Sequence, residues 1–247
     1  LQSGEIDMLS RNTTWTITRD TSLGLNFTVV TYYDGQGFMV AKKLGVKSAR
    51  KLDGASVCVQ PGTTTELNLA DYFRTHKMKF EPVVIESLQE LIAAYFAGRC
   101  DVLTTDASGL ASIRAKNAPK PDDYVILPEI ISKEPLGPVV RHGDDAWRDI
   151  VSWSVIAMIE AEEKGITSAN VDAMLKSADP AVRRFLGVTP GMGKALGVGE
   201  RWAYNIIKQV GNYGESFQRN ITKQLGLERG INALWTQGGL MYAPPVR

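Results

Sequence analysis

The stretch SVCVQPGTTTELNLADYF, residues 56–73, changes its pattern within a few residues. Its first five residues include two valines and are typical of a strand. Beyond Pro61 and Gly62, Thr63 and Glu66 have the spacing of a capping box, which marks the N-terminus of a helix. The stretch therefore predicts a strand that leads through a short polar turn into a helix.

The same pattern occurs twice more along the chain. FEPVVIE (80–86) predicts a second strand, and SLQELIAAYFAG (87–98) predicts a helix in which Ser87 and Glu90 form another capping box. CDVLTTD (100–106) predicts a third strand, which runs into the helical segment SGLASIRAK. Three successive strand–helix pairs predict an α/β domain with a parallel sheet.

The polar turns of such a sheet have a functional meaning. Ligands of open α/β sheets bind at the carboxyl ends of the strands, near the N-termini of the helices. We therefore expect Pro61–Thr65, Ser87 and Thr104–Ser108 to share the edge of the sheet where a ligand binds.

Two extended passages flank this block. TVVTYYDGQGFMV (28–40) precedes it, and EIISKEPLGPVV (129–140) follows it. Residues 167–247 are mostly helical in pattern and are broken by Gly and Pro. This arrangement is typical of one domain inserted into another.

Composition excludes several functions. The 247 residues include 28 Lys plus Arg and 27 Asp plus Glu, so the net charge of +1 provides no basic field for nucleic acid or an anionic membrane surface. The apolar runs are shorter than the roughly 20 residues that a bilayer requires. The chain starts with LQSGEIDML, which contains no signal-peptide pattern.

Metal and nucleotide sites are not indicated either. Cys58 and Cys100 are too few for the usual zinc patterns, and they form either a disulfide or two buried thiols. GMGKALGVG (191–199) resembles a phosphate loop, but no strand precedes it and Lys194 is not followed by Ser or Thr. We expect no metal and no cofactor.

The stretch SRNTTWTITRD (10–20) gathers small polar side chains beside one cation. Asn12, Thr14 and Thr16 follow EIDMLS (5–10), which we predict to be a strand, and Arg19 lies a turn or two further on. A guanidinium with neighbouring N–H and O–H donors is suited to a carboxylate. The threonines of GTTTE would add the unpaired N–H groups of a helix N-terminus.

Asp106, at the end of the third strand, supplies an acceptor for an ammonium group. Carboxylate donors together with an ammonium acceptor recognise an α-amino acid. Simpler interpretations remain open for each residue: Asp106 caps the helix near Ser108, Thr63 only caps its own helix, and Arg19 pairs with Asp20 or Asp34 at the surface.

Three segments carry a resemblance to a known family: EIDMLSRNTTWTITRDTSLGLNFTVVTYYDGQGFMV, LDGASVCVQPGTTTELNLADYF and AGRCDVLTTDASGL. The chain resembles the periplasmic amino-acid-binding proteins of polar amino acid ABC importers, in particular the general L-amino-acid-binding subgroup, over essentially its whole length. NTTWT, GTTTE, and GRCD with TTD are the distinctive motifs.

The resemblance implies an α/β, two-lobed type II periplasmic-binding-protein fold with an inserted βαβ lobe that closes on its ligand by hinge bending. Lobe one would comprise residues 1–36 and 137–247, including a helical C-terminal region, and lobe two residues 38–132. The hinges would lie at Gly35–Gly37 and near Lys133–Gly137.

The resemblance also implies a ligand set in the cleft between the lobes. Arg19 would hold the α-carboxylate with the backbone N–H groups of Thr14 and Thr64. The carbonyl of Asn12, Thr14 and Asp106 would hold the α-ammonium, and Thr16 would line the same wall. Trp15 would belong to lobe packing.

Partners and location follow from the family. The ligand would be a polar L-amino acid, the partner a membrane permease, and the location the periplasm, where a disulfide between Cys58 and Cys100 is implied. Family members begin well before LQSGEIDML, so we expect lobe one to be N-terminally truncated, with exposed apolar surface that allows self-association.

Two other functions stay open. One is a dehydratase-like enzyme on the same scaffold, although the expected cleft has one carboxylate and no histidine for acid–base chemistry. The other is a truncated, oligomerising remnant that binds no ligand.

Overall fold

The computed structural model describes residues 1–247, and the chain divides into two compact units. The first unit combines Leu1–Tyr32 with Leu136–Arg247, and the second is the continuous segment Tyr33–Pro135. None of the helices combines the length and apolar character that crossing a membrane would need.

The regular elements are short, apart from one helix of 19 residues. The strands are β1 (Leu25–Phe27), β2 (Tyr32–Asp34), β3 (Gln36–Ala41), β4 (Ala55–Val59), β5 (Phe80–Val84), β6 (Val102–Asp106), β7 (Tyr124–Ile126), β8 (Glu134–Leu136) and β9 (Val139–Arg141). The α-helices are α1 (Thr64–Thr75), α2 (Leu88–Phe96), α3 (Ala107–Asn117), α4 (Asp145–Glu163), α5 (Val171–Met174), α6 (Pro180–Phe185), α7 (Met192–Leu196), α8 (Trp202–Gln209), α9 (Tyr213–Phe217) and α10 (Lys223–Leu225).

The second unit contains a five-stranded sheet in the order β5-β4-β6-β3-β7. β4 runs parallel to both β5 and β6, as the three strand–helix pairs predict. β3 is antiparallel to β6 and to β7, so the prediction of an all-parallel sheet is wrong. β3 comes from the extended segment that precedes the block, and it pairs with the edge of β6 that β4 leaves free. β7 follows α3 and pairs with the outer edge of β3.

The sheet is covered on both faces. Successive residues of a strand point to opposite faces, and the buried side chains accordingly separate into two clusters. The cluster that includes α1 contains Phe38, Val57, Leu69, Phe73 and Val102. The cluster that includes α2 and α3 contains Met39, Cys58, Leu91, Leu103 and Leu110.

Both predicted N-caps are present. The Thr63 hydroxyl accepts a hydrogen bond from the Glu66 N–H at 3.2 Å, and the Ser87 hydroxyl accepts one from the Glu90 N–H at 3.4 Å. The Glu66 side chain, however, accepts from the N–H of Gly62 rather than from that of Thr63, so this capping box is incomplete. The Thr63 hydroxyl and the Glu66 carboxylate nevertheless both stabilise the N-terminus of α1.

A disulfide joins Cys58 of β4 to Cys100, which precedes β6, with a distance of 5.7 Å between their Cα atoms. Both residues are buried, at 0% and 5% exposure. The bond links two neighbouring parallel strands within the second cluster of the core.

We expect this disulfide to contribute strongly to stability. It closes a loop with a sequence separation of 42 residues, and cross-links of this kind stabilise proteins by about 2–4 kcal/mol, chiefly by restricting the unfolded chain. Urea unfolding of Cys58→Ala/Cys100→Ala beside the oxidised protein measures the loss. Equal free energies of unfolding would contradict the prediction.

In the first unit, β1 and β9 form an antiparallel pair, and Leu9 adds an isolated bridge to Val139. The prediction of a strand at residues 5–10 is wrong, since Leu9 is the only residue of that segment in a β-bridge. β9 is only three residues long, which limits the ladder it can offer.

The backbone N–H groups of the glycine-rich segment GMGKALGVG (191–199) bind a side chain of the protein itself. The Glu200 carboxylate accepts hydrogen bonds from the N–H groups of Gly191, Gly193 and Lys194 at 2.8–3.1 Å. These bonds, the one from Gly191 first, lower the pKa of Glu200. A side chain of the protein therefore occupies the amide donors that a phosphate would need.

Two glycines in the segments that connect the units are required for space. A Cβ on Gly35 would lie 2.6 Å from the Ser132 carbonyl oxygen and overlap Ile130, and a Cβ on Gly137 would overlap the Val29 carbonyl oxygen. Neither glycine has a positive φ. Their role is close backbone approach, and the hinge predicted at these positions stays a prediction.

Candidate functional site

Arg19 is the anchored cation of the first unit. It lies half-buried in a π-helical segment, Thr18–Ser22, and its Nη1 donates a hydrogen bond to the Thr14 carbonyl oxygen at 3.0 Å. It forms no ion pair with its neighbour Asp20. The bond to Thr14 uses one of the five N–H donors of the guanidinium, so the group is oriented and still able to bind a carboxylate.

The polar residues before Arg19 define its position. Thr14 is 4% exposed and forms a β-bridge with Leu136 of the same unit. The Thr16 hydroxyl accepts from the Arg19 N–H at 3.3 Å, which is the geometry of an N-cap. Thr16 thus orients Arg19 within the protein, and its place on a ligand wall stays a prediction.

Asn12 and Trp15 are more open. Asn12 is exposed, beside a tight turn in which the Thr13 N–H donates to the Arg11 carbonyl at 2.8 Å. Trp15 stacks on Phe27 with ring centroids 5.4 Å apart. Because 40% of Trp15 is still exposed, the indole packs on its own unit and keeps part of its surface in solvent.

In the second unit, Thr64 begins α1. Its hydroxyl donates to the Glu134 carboxylate at 3.2 Å, while its backbone N–H donates to no group of the protein. The cap hydroxyl of Thr63 binds the N–H of Glu66 and leaves that of Thr64 open. An open N–H at the positive end of a twelve-residue helix favours an anion.

Asp106 ends β6 and lies opposite Gln36 of β3. It is 4% exposed, and it occupies the N-cap position of α3 without making a side-chain cap hydrogen bond. The interpretation of Asp106 as a simple helix cap is therefore wrong. Asp34 takes that role, since its Oδ2 accepts from the Ser108 N–H at 3.2 Å.

Asp34 was not expected from the sequence. Burial raises the pKa of its carboxyl, hydrogen bonds from Ser108 and Gly35 lower it, and the nearby charge of Glu134 raises it further. Asp34 and Glu134 lie on β2 and β8, which pair with each other. Adjacent, partly desolvated carboxyl groups make this end of the second unit attractive to a cation.

Gln36 was missed as well. It is completely buried, and its Nε2 donates to the Thr65 carbonyl at 3.1 Å and to the Thr104 hydroxyl at 2.9 Å. The side chain joins the first turn of α1 to β6. A glutamine in an extended, glycine-flanked passage carries no sequence pattern that would have revealed this role.

Each unit by itself presents groups that are suited to a charged ligand group. The first unit supplies an oriented guanidinium beside a buried threonine, and the second supplies an open helix N-terminus and a buried carboxylate. No group of three or more His, Cys, Asp or Glu side chains is arranged to hold a metal ion.

Comparison with known proteins identifies the fold and the family. No family model matches the chain. The general L-amino acid-binding periplasmic protein AapJ of Rhizobium johnstonii is 64% identical over 251 residues, covering 100% of this chain and 73% of that protein. The glutamate/glutamine/aspartate/asparagine-binding protein BztA of Rhodobacter capsulatus is 58% identical, with 100% and 74% covered.

A solved structure, an ABC transporter periplasmic binding protein from Brucella ovis with glutathione bound, has a TM-score of 0.97 at 56% identity and covers 100% of this chain and 78% of that one. The fold is thus that of a periplasmic solute-binding protein of type II, as predicted. The chain belongs to the family of amino-acid-binding periplasmic proteins of ABC transporters.

The family confirms the main functional predictions. The relatives are solute-binding components of ABC transporters and not enzymes, so the dehydratase-like alternative is not favoured. Proteins of this family bind amino acids and interact with a permease, and the relatives support a periplasmic location.

Proposed function

We propose that this protein captures polar L-amino acids and delivers them to an ABC-type permease, with both units contributing to one ligand site. Arg19 and the N–H groups of Thr14 and Thr64 bind the α-carboxylate. Asp106 binds the α-ammonium, together with Thr14 and the carbonyl of Asn12. Thr16 lines the same wall.

The lobes in this proposal comprise residues 1–36 with 137–247, and residues 38–132. The passages at Gly35–Gly37 and Lys133–Gly137 act as hinges. Each passage contains a glycine, Gly35 or Gly137, at which a side chain would overlap neighbouring backbone atoms. The close backbone approach at these two positions supports a specific structural role for both connections. Self-association through the exposed apolar residues near the start of the chain, Ile6, Met8 and Ile17, stays a prediction.

The observation that carries the proposal is Asp106. Asp106 is 4% exposed, and its side chain makes no cap hydrogen bond to the helix that follows it. Asp34 already binds the N-terminus of that helix. A buried acceptor at the carboxyl end of a strand supports recognition of an ammonium group.

The names of the relatives indicate which ligands to test first. AapJ is named for L-amino acids in general and BztA for glutamate, glutamine, aspartate and asparagine. Glutathione is a second candidate, because a relative of known structure contains it. Its γ-glutamyl end has a free α-carboxylate and a free α-ammonium, so the same groups would recognise it.

Isothermal titration calorimetry with a matched ligand series tests the proposal. We expect L-glutamine and L-glutamate to bind, whereas N-acetyl-L-glutamine and L-glutamine amide, which each lack one charged group, bind at least about 100-fold more weakly. Binding of glutathione without binding of free amino acids would favour the second candidate. A chain that binds none of them and forms a defined dimer in native mass spectrometry would support the oligomerising remnant.

A further inference from the structure

Glu134 is a buried carboxylate at the point where the chain leaves the second unit. It is the first residue of β8 and is 1% exposed. The next residue but one, Leu136, already belongs to the first unit. Full burial of an acid so close to a connection between compact units requires specific partners.

Three neutral donors of the second unit hold this carboxylate. Its Oε2 accepts from the Thr64 hydroxyl at 3.2 Å, and its Oε1 accepts from Asn68 Nδ2 at 2.9 Å and from the Ser132 hydroxyl at 2.6 Å. Thr64 and Asn68 lie four residues apart, on one face of α1. A single carboxylate therefore joins the first two turns of α1 to the segment that becomes β8.

These contacts use the hydroxyl of Thr64 and leave its backbone N–H for a ligand. Because the Thr64 hydroxyl donates to Glu134, the side-chain rotamer of Thr64 is restrained. The backbone N–H of Thr64 stays open because it lies in the first turn of the helix. A negative charge beside the first turns of a helix also stabilises them through the helix dipole. The group that would bind a ligand carboxylate is thus oriented by Glu134.

Gln36 restrains the same turn independently. Its Nε2 holds the Thr65 carbonyl, so the first turn of α1 is fixed through one side chain from β3 and another from β8. Only Glu134 also contacts the side chain of Thr64. The effect of Glu134 on Thr64 should therefore be separable from the general stability of α1.

We propose that Glu134 is a positioning residue, which orients the N-terminal turn of α1 for an anionic ligand group and ties that turn to the β8 connection. Its consequence for affinity rests on the amino-acid-binding function proposed above. The orientation itself does not depend on any ligand, and it can be measured on the free protein.

Calorimetry and hydrogen exchange test the proposal together. In Glu134→Ala we expect the Kd for L-glutamine to rise about ten-fold, because truncation leaves buried donors without an acceptor. Amide exchange in the first two turns of α1 should become about ten-fold faster in the ligand-free protein, with α2 unchanged. Glu134→Gln keeps an acceptor of the same shape, so its Kd and its amide exchange in α1 should both lie between those of the wild type and those of Glu134→Ala.

Glu129→Ala is the matched control. Glu129 is also an acid of the second unit that accepts from a serine hydroxyl and a backbone N–H, those of Ser48 and Ala49, and these hydrogen bonds do not involve the first two turns of α1. We expect it to leave the Kd and the exchange of α1 unchanged. An equal effect of both variants would reduce the role of Glu134 to general stability and overturn the proposal.

A double-mutant cycle with Thr64→Val addresses the mechanism directly. This change removes the hydroxyl and keeps the backbone N–H, so its effect on Kd should be strongly non-additive with Glu134→Ala. Additive effects, or unchanged exchange in Glu134→Ala, would refute the positioning role. Failure of the wild-type protein to bind any amino acid would refute the proposed function instead, and the exchange measurement would still decide the role of Glu134.

Discussion

Arg19→Ala should abolish measurable binding of α-amino acids, with a loss of affinity of about 100- to 1,000-fold. The guanidinium is the anchored cation of the first unit, and its orientation is set by hydrogen bonds to Thr14 and from its own N–H to Thr16. Arg19→Lys should restore little, because an ammonium cannot reproduce the two parallel donors that match a carboxylate. Calorimetric titration with L-glutamine measures both variants.

Arg11→Ala provides the control for this experiment. Arg11 is an exposed arginine in the same polar stretch, and its removal should leave Kd within about two-fold, as expected for a solvated surface charge. The ligand series sharpens the assignment. If Arg19 binds the carboxylate, then L-glutamine amide, which lacks that charge, should lose almost nothing further in Arg19→Ala. Wild-type affinity in this variant would contradict the site.

Asp106→Asn is the second change for which we expect a large effect, a loss of about 100-fold in affinity for L-glutamine. The substitution preserves shape and removes the negative charge that an ammonium requires at a buried position. Since Asp106 does not cap α3, the loss should appear in binding rather than in the stability of that helix. Calorimetry and thermal unfolding of the same samples separate the two.

The control for Asp106 lies at the other end of the same strand. Asp101, just before β6, accepts hydrogen bonds from the backbone and hydroxyl of Ser56, and these bonds lower its pKa. Asp101→Asn should therefore affect stability and leave ligand affinity unchanged. A result in which Asp106→Asn binds L-glutamine as tightly as the wild type would remove the ammonium acceptor from the proposal.

Sequence and structure agree where local physics is sufficient. Thr63 and Ser87 cap the helices that follow them, and the strand–helix pairs around them form parallel strands. A cap depends on residues within one turn, and a strand–helix pair depends on periodicity over about ten residues. Both are visible in a single sequence.

The separate roles of three carboxylates could not be predicted from the sequence. Asp34, Asp106 and Glu134 are separated by 72 and 28 residues in the sequence, and each has a nearby residue that it could bind as a local cap or turn. The structure gives the cap to Asp34, buries Asp106 without one, and places Glu134 against α1. These outcomes depend on which strands become neighbours, and not on local propensity.

By itself the sequence determined the alternation of strands and helices, the start of α1 and the polar segment that ends at Arg19, because these follow from short-range hydrogen bonding and periodic burial. Only the tertiary structure decided that β3 and β7 complete the sheet in antiparallel orientation, that Glu200 occupies the glycine-rich turn, and that Gln36 and Glu134 hold the N-terminus of α1. Contacts between residues far apart in the chain come from the cooperative choice of strand partners, which no local segment of the sequence specifies.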